Sequence, residues 1–306
     1  MKHVRVVLFC VAAMTFMTTS AGCRQQQIFP KKLSNETFLA AAELAYEKFQ
    51  PDEIGKPIID HQLITQPLST KVHNNLSGYR LLSAKMINGN HGAIALKNVK
   101  TNSIIFSFSG LRSINLQAIY LKLADFQPPT NQTSPVVVDD EGTVAYDWVR
   151  SVLKQKKNAN SSIYLTGHSF GGYIAQYVGY RLNESNKNKY PIIQGVTFNA
   201  LGILLDNQDK KLHNKTVALQ KAYKPIFTNY IIMGDPLDYA NGTFFKEITG
   251  YTLQHLGNTN YITVDEKYKT ALQALNQGND MWTRASKLRP LYPYHSLTEF
   301  EKVFWK

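Results

Sequence analysis

Residues 164–172 read Tyr-Leu-Thr-Gly-His-Ser-Phe-Gly-Gly. Within them Gly167-His168-Ser169-Phe170-Gly171 fits G-x-S-x-G, the spacing that sets a serine hydroxyl at the tip of a sharp strand-to-helix turn. The chemistry open to such a serine is attack on a carbonyl carbon. A hydroxyl is a weak nucleophile until a base takes its proton, and the base needs an acid to orient it. The oxygen that becomes negative needs N–H donors aimed at it. A pentapeptide this permissive arises by chance in glycine-rich turns, so its meaning rests on the elements around it.

Those elements have the required order. Residues 161–165 read as a strand. Beyond Gly171, Tyr173, Ile174, Tyr177, Val178 and Leu182 recur at three- and four-residue intervals, which is the apolar face of a helix. Strands are also expected over 79–87, 93–99, 104–108, 192–198, 226–233 and 261–264, with a hairpin turn at 88–92. Helices are expected over 38–49, capped by Ser34 or Asn35, then over 114–126, from the acidic stretch 139–141 through Val152, and over 217–223, 267–275 and 295–305. The stretch 50–76 reads as irregular. Strand–helix alternation of this kind implies an α/β fold with an open, mostly parallel sheet covered on both faces. No internal repeat or low-complexity linker interrupts it.

On such an elbow the partners follow in the order serine, acid, histidine. Asp235 stands directly after the strand-like Asn-Tyr-Ile-Ile-Met-Gly and is preferred to Asp238, three residues on. Only His255 and His295 follow the acid. His295, in Tyr-Pro-Tyr-His-Ser, lies on a loop before the last helix and is preferred. His255, in Tyr-Thr-Leu-Gln-His, reads as part of a helix. His168 is expected to point away from the reacting groups and pack against a helix. Phe170 opens the helix after the serine, so its N–H is one oxyanion donor. The second is expected from the loop after 104–108, where the N–H of Leu111 is preferred to those of Ser109 and Gly110.

The ends and the charge bound the setting. Met1-Lys2-His3-Val4-Arg5 is basic, residues 6–17 are apolar, and small residues lead to Cys23, the pattern of a secretory signal. The apolar run is shorter than the roughly 20 residues that span a bilayer. Cys10 and Cys23 are the two cysteines. Loss of the signal leaves Cys23 as a lone thiol with no internal disulfide to make. Ser-Ala-Gly-Cys resembles the lipobox of bacterial lipoproteins, with Ser20 where an aliphatic residue is usual. That resemblance implies a lipid-modified Cys23, a membrane-anchored protein of the cell envelope, and a polar tether from Arg24; the alternative is a periplasmic or secreted protein that keeps one cysteine. The formal charge of +12 is spread over scattered lysines, which argues against a nucleic-acid face and suits anionic lipid. Dispersed histidines and the absence of a cysteine pair predict no metal and no cofactor.

Four stretches together resemble the class 3 lipases of the α/β-hydrolase superfamily. These are Ile104-Ile-Phe-Ser-Phe-Ser-Gly110, the serine block Leu165-Thr-Gly-His-Ser-Phe-Gly-Gly172, Val196-Thr-Phe-Asn-Ala-Leu-Gly202, and Asn229-Tyr-Ile-Ile-Met-Gly-Asp-Pro236. Tyr294-His295-Ser296 resembles the family's histidine loop. The resemblance implies an α/β-hydrolase fold over 77–306, a Ser169–Asp235–His295 triad, a lipid or other acyl-ester substrate, and a lid after the oxyanion strand. Ser109 stands where the family has arginine, and Leu111 where it has a hydroxyl residue. Leu111 therefore offers a backbone N–H and no side-chain bond. Residues 1–22 are then a signal, and 23–76 a tether, a helix and an irregular segment. The competing expectations are a small-ester esterase or thioesterase, and a binding lipoprotein on a hydrolase scaffold.

Overall fold

The computed structural model describes residues 31–58, 69–89, 91–111, 136, 140–185, 190–205, 210–239, 252–275 and 289–306. The signal, Cys23, the helix expected over 114–126 and the lid stretch expected over 114–129 lie outside them.

Nine strands are described. They are β1 (Arg80–Ile87), β2 (His91–Asn98), β3 (Ser103–Phe108), β4 (Ser162–His168), β5 (Ile192–Phe198), β6 (Ile203–Leu205), β7 (Phe227–Ile232), β8 (Thr252–Gln254) and β9 (Asn258–Ile262). Seven form one sheet in the order β1-β2-β3-β4-β5-β7-β9. The β1–β2 and β2–β3 pairings are antiparallel. From β3 to β9 every pairing is parallel. This is the expected α/β-hydrolase-like architecture. Parallel strands carry their C-terminal ends to one edge, and ligands of open α/β sheets bind there. The small β6–β8 pair was not expected from three-residue runs with no alternation to read.

The helices are α1 (Asn35–Leu44), α2 (Thr70–Leu76), α3 (Asp140–Leu153), α4 (Phe170–Ser185), α5 (Lys210–Tyr223), α6 (Pro236–Tyr239), α7 (Tyr268–Leu275) and α8 (Leu297–Phe304). Ser34 caps α1, its Oγ accepting the Thr37 N–H at 3.3 Å. Helix α2 lies inside the stretch expected to be irregular. Ser69 caps it through the Val72 N–H, and Val72 and Leu76 are buried; with two apolar anchors in seven residues, the periodic signal is too short to read.

The sheet's two faces are covered differently. On one, the Ser107 hydroxyl donates to the Ala41 carbonyl of α1 at 2.8 Å, and Thr166 donates to Phe38. On the other, Trp148 of α3 meets Phe106 and Phe108 edge-on. Phe38, Leu39 and Leu44 of α1 are fully buried, each contributing about 1.5–3 kcal/mol. The segment before residue 77 thus supplies part of the main core.

The elbow is pinned by backbone contact. A Cβ on Gly171 would run into the Phe108 carbonyl, and would stand 2.6 Å from the Ser109 carbonyl carbon. Neither atom can swing away. Gly171→Ala is therefore expected to lower unfolding free energy by at least ~1–3 kcal/mol, read as a lower urea midpoint with an unchanged m-value.

Candidate active site

Strand β4 ends at His168 and helix α4 begins at Phe170. Ser169, between them, has φ 58°, a left-handed conformation that few non-glycine residues adopt. Its N–H donates to the Phe198 carbonyl at 3.0 Å, and its own carbonyl accepts the Gly172 N–H at 3.0 Å. The serine is buried to 5% exposure. Phe170 is in the first turn of α4, whose N–H groups have no intrahelical acceptor.

Asp235 follows β7 on a turn made by Gly234, at φ 93°, and its N–H donates to the Ile232 carbonyl at 3.0 Å. Its Oδ1 accepts the Leu237 N–H at 3.1 Å and lies 2.8 Å from His295 Nδ1. Both residues are 1% exposed. Burial pushes the Asp235 carboxyl upward, while the His295 charge and hydrogen bond and the Leu237 N–H oppose that rise. The arrangement suits a carboxylate accepting from a protonated Nδ1, which leaves Nε2 as the basic nitrogen of His295. Asp238, the competing acid, is engaged elsewhere: Tyr261 donates to it at 3.2 Å. Burial, then the nearby Asp235, pushes its carboxyl up to about 6.

His295 ends the 3₁₀ segment Arg289–His295, just before α8. Tyr294, beside it, donates its hydroxyl to Asp265 at 2.7 Å. His255 does not lie on the helix expected for it; it follows β8, a strand too short to carry a period-2 pattern. Both its ring nitrogens are buried without a hydrogen bond among the described residues, and burial pulls its pKa down to about 4.

His168 does not point away from the reacting groups: its ring centroid lies 4.8 Å from that of His295. Its Nε2 lies 2.7 Å from the His295 carbonyl oxygen, an acceptor only, so Nε2 carries the proton. Nδ1 then accepts from the Tyr46 hydroxyl at 2.7 Å. Burial and the neighbouring His295 keep this ring's pKa well below the ordinary histidine value. Tyr46 also accepts the Gly110 N–H at 2.9 Å. One continuous chain, Gly110–Tyr46–His168–His295, thus links the loop after β3 to the histidine loop. Tyr46 was missed because an aromatic at the end of an apolar helix reads as core. No local signal distinguishes it.

The same bonds sort the oxyanion candidates. The Ser109 N–H donates to Gly92 at 2.8 Å, and that of Gly110 to Tyr46. Leu111 is the next residue on the loop. The loop touches the serine: a Cβ on Gly110 would stand 2.6 Å from Ser169 Cβ and 3.0 Å from its Oγ. Among the described residues no cluster of three or more His, Cys, Asp or Glu is placed to hold a metal.

Comparison with known proteins now bears on this geometry. Residues 98–228 match the family model of Lipase (class 3). The matched part holds β3, the elbow and β5, and it supports a lipase-type carboxylic ester hydrolase. The chain is similar to a solved structure of MDLA from Penicillium cyclopium, at 14% identity and TM-score 0.54, over 77% of this chain and 83% of that one. It is similar to a fungal lipase at 13% identity and TM-score 0.52, over 77% and 83%. Lipase II from Rhizopus niveus aligns at 15% identity and TM-score 0.50, over 74% and 78%. Identities this low speak for the fold alone. A search of the curated proteins finds no match.

Two expectations follow. Tyr46→Phe strands the Gly110 N–H and His168 Nδ1, at a cost of about 1–3 kcal/mol, and is expected to lower both the urea midpoint and ester turnover. The second concerns acid. His168 and His255 have folded-state pKa values below that of an unfolded histidine, near 6.5. Above about pH 6.5 both are neutral in either state. Below it the unfolded chain takes protons that the folded one refuses. Stability should fall with pH at up to ~1.4 kcal/mol per unit for each histidine, and for His255 the fall should end near pH 4. Urea titrations between pH 7 and 4 measure the slope, and His255→Gln should remove part of it.

Proposed function

We propose that this chain is a serine ester hydrolase that cleaves acyl esters of lipids through Ser169, His295 and Asp235. The observation that most supports the reading is the buried His295–Asp235 pair at 2.8 Å, formed by loops at the same sheet edge as the left-handed Ser169.

In this mechanism Ser169 Oγ attacks the ester carbonyl carbon as its proton passes to His295 Nε2. The carbonyl oxygen becomes negative and is held by the N–H groups of Phe170 and Leu111. Asp235 holds the imidazolium through Nδ1 and is not itself protonated. Collapse of the tetrahedral species breaks the bond to the alcohol, which leaves with the proton from His295. Water then attacks the acyl-serine by the same path and releases the acid. Leu111 adds no side-chain hydrogen bond to the oxyanion, so stabilisation there rests on backbone donors.

A fluorophosphonate should label the unaltered protein at Ser169. Ser169→Ala should abolish both labelling and hydrolysis of p-nitrophenyl esters. His295→Ala should lower turnover by about 10³-fold or more, and His255→Ala should not. Loss of labelling in His255→Ala with retention in His295→Ala overturns the choice of base. No labelling of folded protein favours a binding role. A rate that rises with acyl length supports a lipid substrate, and preference for the shortest ester supports a small-ester esterase.

We further propose that the mature chain is a lipid-anchored envelope protein modified at Cys23, on the strength of the Ser-Ala-Gly-Cys stretch. Mass spectrometry of the N-terminus should find a diacylated cysteine there; an unmodified start at another residue rejects the anchor.

A further inference from the structure

One asparagine touches the supports of all three reacting groups. Asn199 follows β5 and is fully buried. Its Oδ1 accepts the Ile232 N–H at 2.8 Å. The Ile232 carbonyl in turn accepts the Asp235 N–H at 3.0 Å. The carboxamide is therefore joined to the acid's own peptide through a single residue. On its other side Nδ2 donates to the Tyr294 carbonyl at 2.7 Å, the peptide bonded directly to His295. The residue before it, Phe198, accepts the Ser169 N–H at 3.0 Å.

The backbone sharpens the point. Asn199 has φ 42°, and its N–H donates to the Tyr230 carbonyl at 2.8 Å. Glycine would meet that φ with no steric cost. The conformation alone thus gives no reason for a side chain. The carboxamide is the one group there that offers an acceptor and a donor pointing at two separate loops. Chymical reach matters because Asp235 and His295 come from segments 60 residues apart, and their 2.8 Å bond holds only if both loops keep their relative height.

The geometry points to Asn199 as a positioning residue that sets the Asp235 turn and the His295 loop against each other, resting on the triad proposed above. It does not touch substrate. Its effect runs through the orientation of the base, so it should appear in kcat rather than in KM. A displacement of about 1 Å in such a pair is enough to cost about 100-fold in rate.

The test compares Asn199→Gly with Asn229→Ala. Asn229 is an equally buried carboxamide one strand away, bonded to Thr197 and Leu256 and to none of the triad's loops. Turnover of a p-nitrophenyl ester is measured per folded molecule, below each variant's melting range. The expected result for Asn199→Gly is a fall in kcat of about 10- to 100-fold with KM changed less than about threefold. Asn199→Ser, with one hydroxyl, should restore part of the loss. Asn229→Ala should lose stability and keep its kcat. An Asn199→Gly protein whose kcat per folded molecule equals that of the unaltered protein overturns the proposal. Should that variant fail to fold, hydrogen exchange of the Asn199 carboxamide in the unaltered protein decides. Exchange as fast as in an exposed asparagine overturns the clamp; protection shared with the Ile232 amide supports it. Absence of Ser169-dependent turnover in the unaltered protein is a different failure: it removes the proposed function, and the exchange measurement still tests the clamp.

Discussion

The left-handed backbone of Ser169 is the constraint on which the rest of the structure depends. A serine at φ 58° is held only where its surroundings leave no alternative. Here the Phe198 carbonyl takes its N–H. Gly171 lets α4 sit directly against the end of β3. The turn thereby fixes three things together: the place of the serine, the start of α4, and the nearness of the Gly110 loop. Parallel pairing from β3 to β9 then brings the ends of β4, β5 and β7 to one edge. The histidine loop completes the arrangement from the far end of the chain.

Behind that edge lies a polar interior, which is costly unless every group finds a partner. Neutral groups in fixed roles meet most of the cost, while among the described residues Asp235 Oδ2 is buried without a hydrogen-bond partner. His168 uses both ring nitrogens, one as donor to the His295 carbonyl and one as acceptor from Tyr46. Burial favours its uncharged form, so in the proposed mechanism no second positive charge competes with an imidazolium on His295. Asp235 is the charged member. Its burial raises the carboxyl, and His295 and the Leu237 N–H hold it down. A low-dielectric site strengthens each of these bonds and penalises any that is missing. The buried His168 in the same network is expected to make the fold sensitive to acid.

In the proposed mechanism Leu111, which has no side-chain hydroxyl, sets the balance at the oxyanion. The adjacent Gly110 N–H is spent on Tyr46, and that of Ser109 on Gly92. On that reading the oxyanion donors come from backbone beside Tyr46 and at the start of α4, with no flexible side chain contributing. Such donors need no reorganisation as charge develops.

Local pattern was enough to place Ser169 between a strand and a helix, to put Asp235 at the end of a strand, and to read a mostly parallel α/β sheet. Each of these follows from neighbours a few residues away, through helical period, strand length and glycine spacing. Local pattern failed where elements were short, as for α2, β6 and β8, because three to seven residues carry too few apolar positions to show a period. The same shortness of β8 misplaced His255, whereas His168 was turned away from the reacting groups for a different reason. What those side chains do is set by partners far along the chain: His168 meets Tyr46 across 122 positions and the His295 carbonyl across 127. Asn199 meets Tyr294 across 95. Strand order decides which segments become neighbours, and no spacing in the sequence encodes strand order. The serine elbow was therefore a property of the sequence, and the network that ties Tyr46, Asn199 and His168 to His295 a property of the tertiary fold alone.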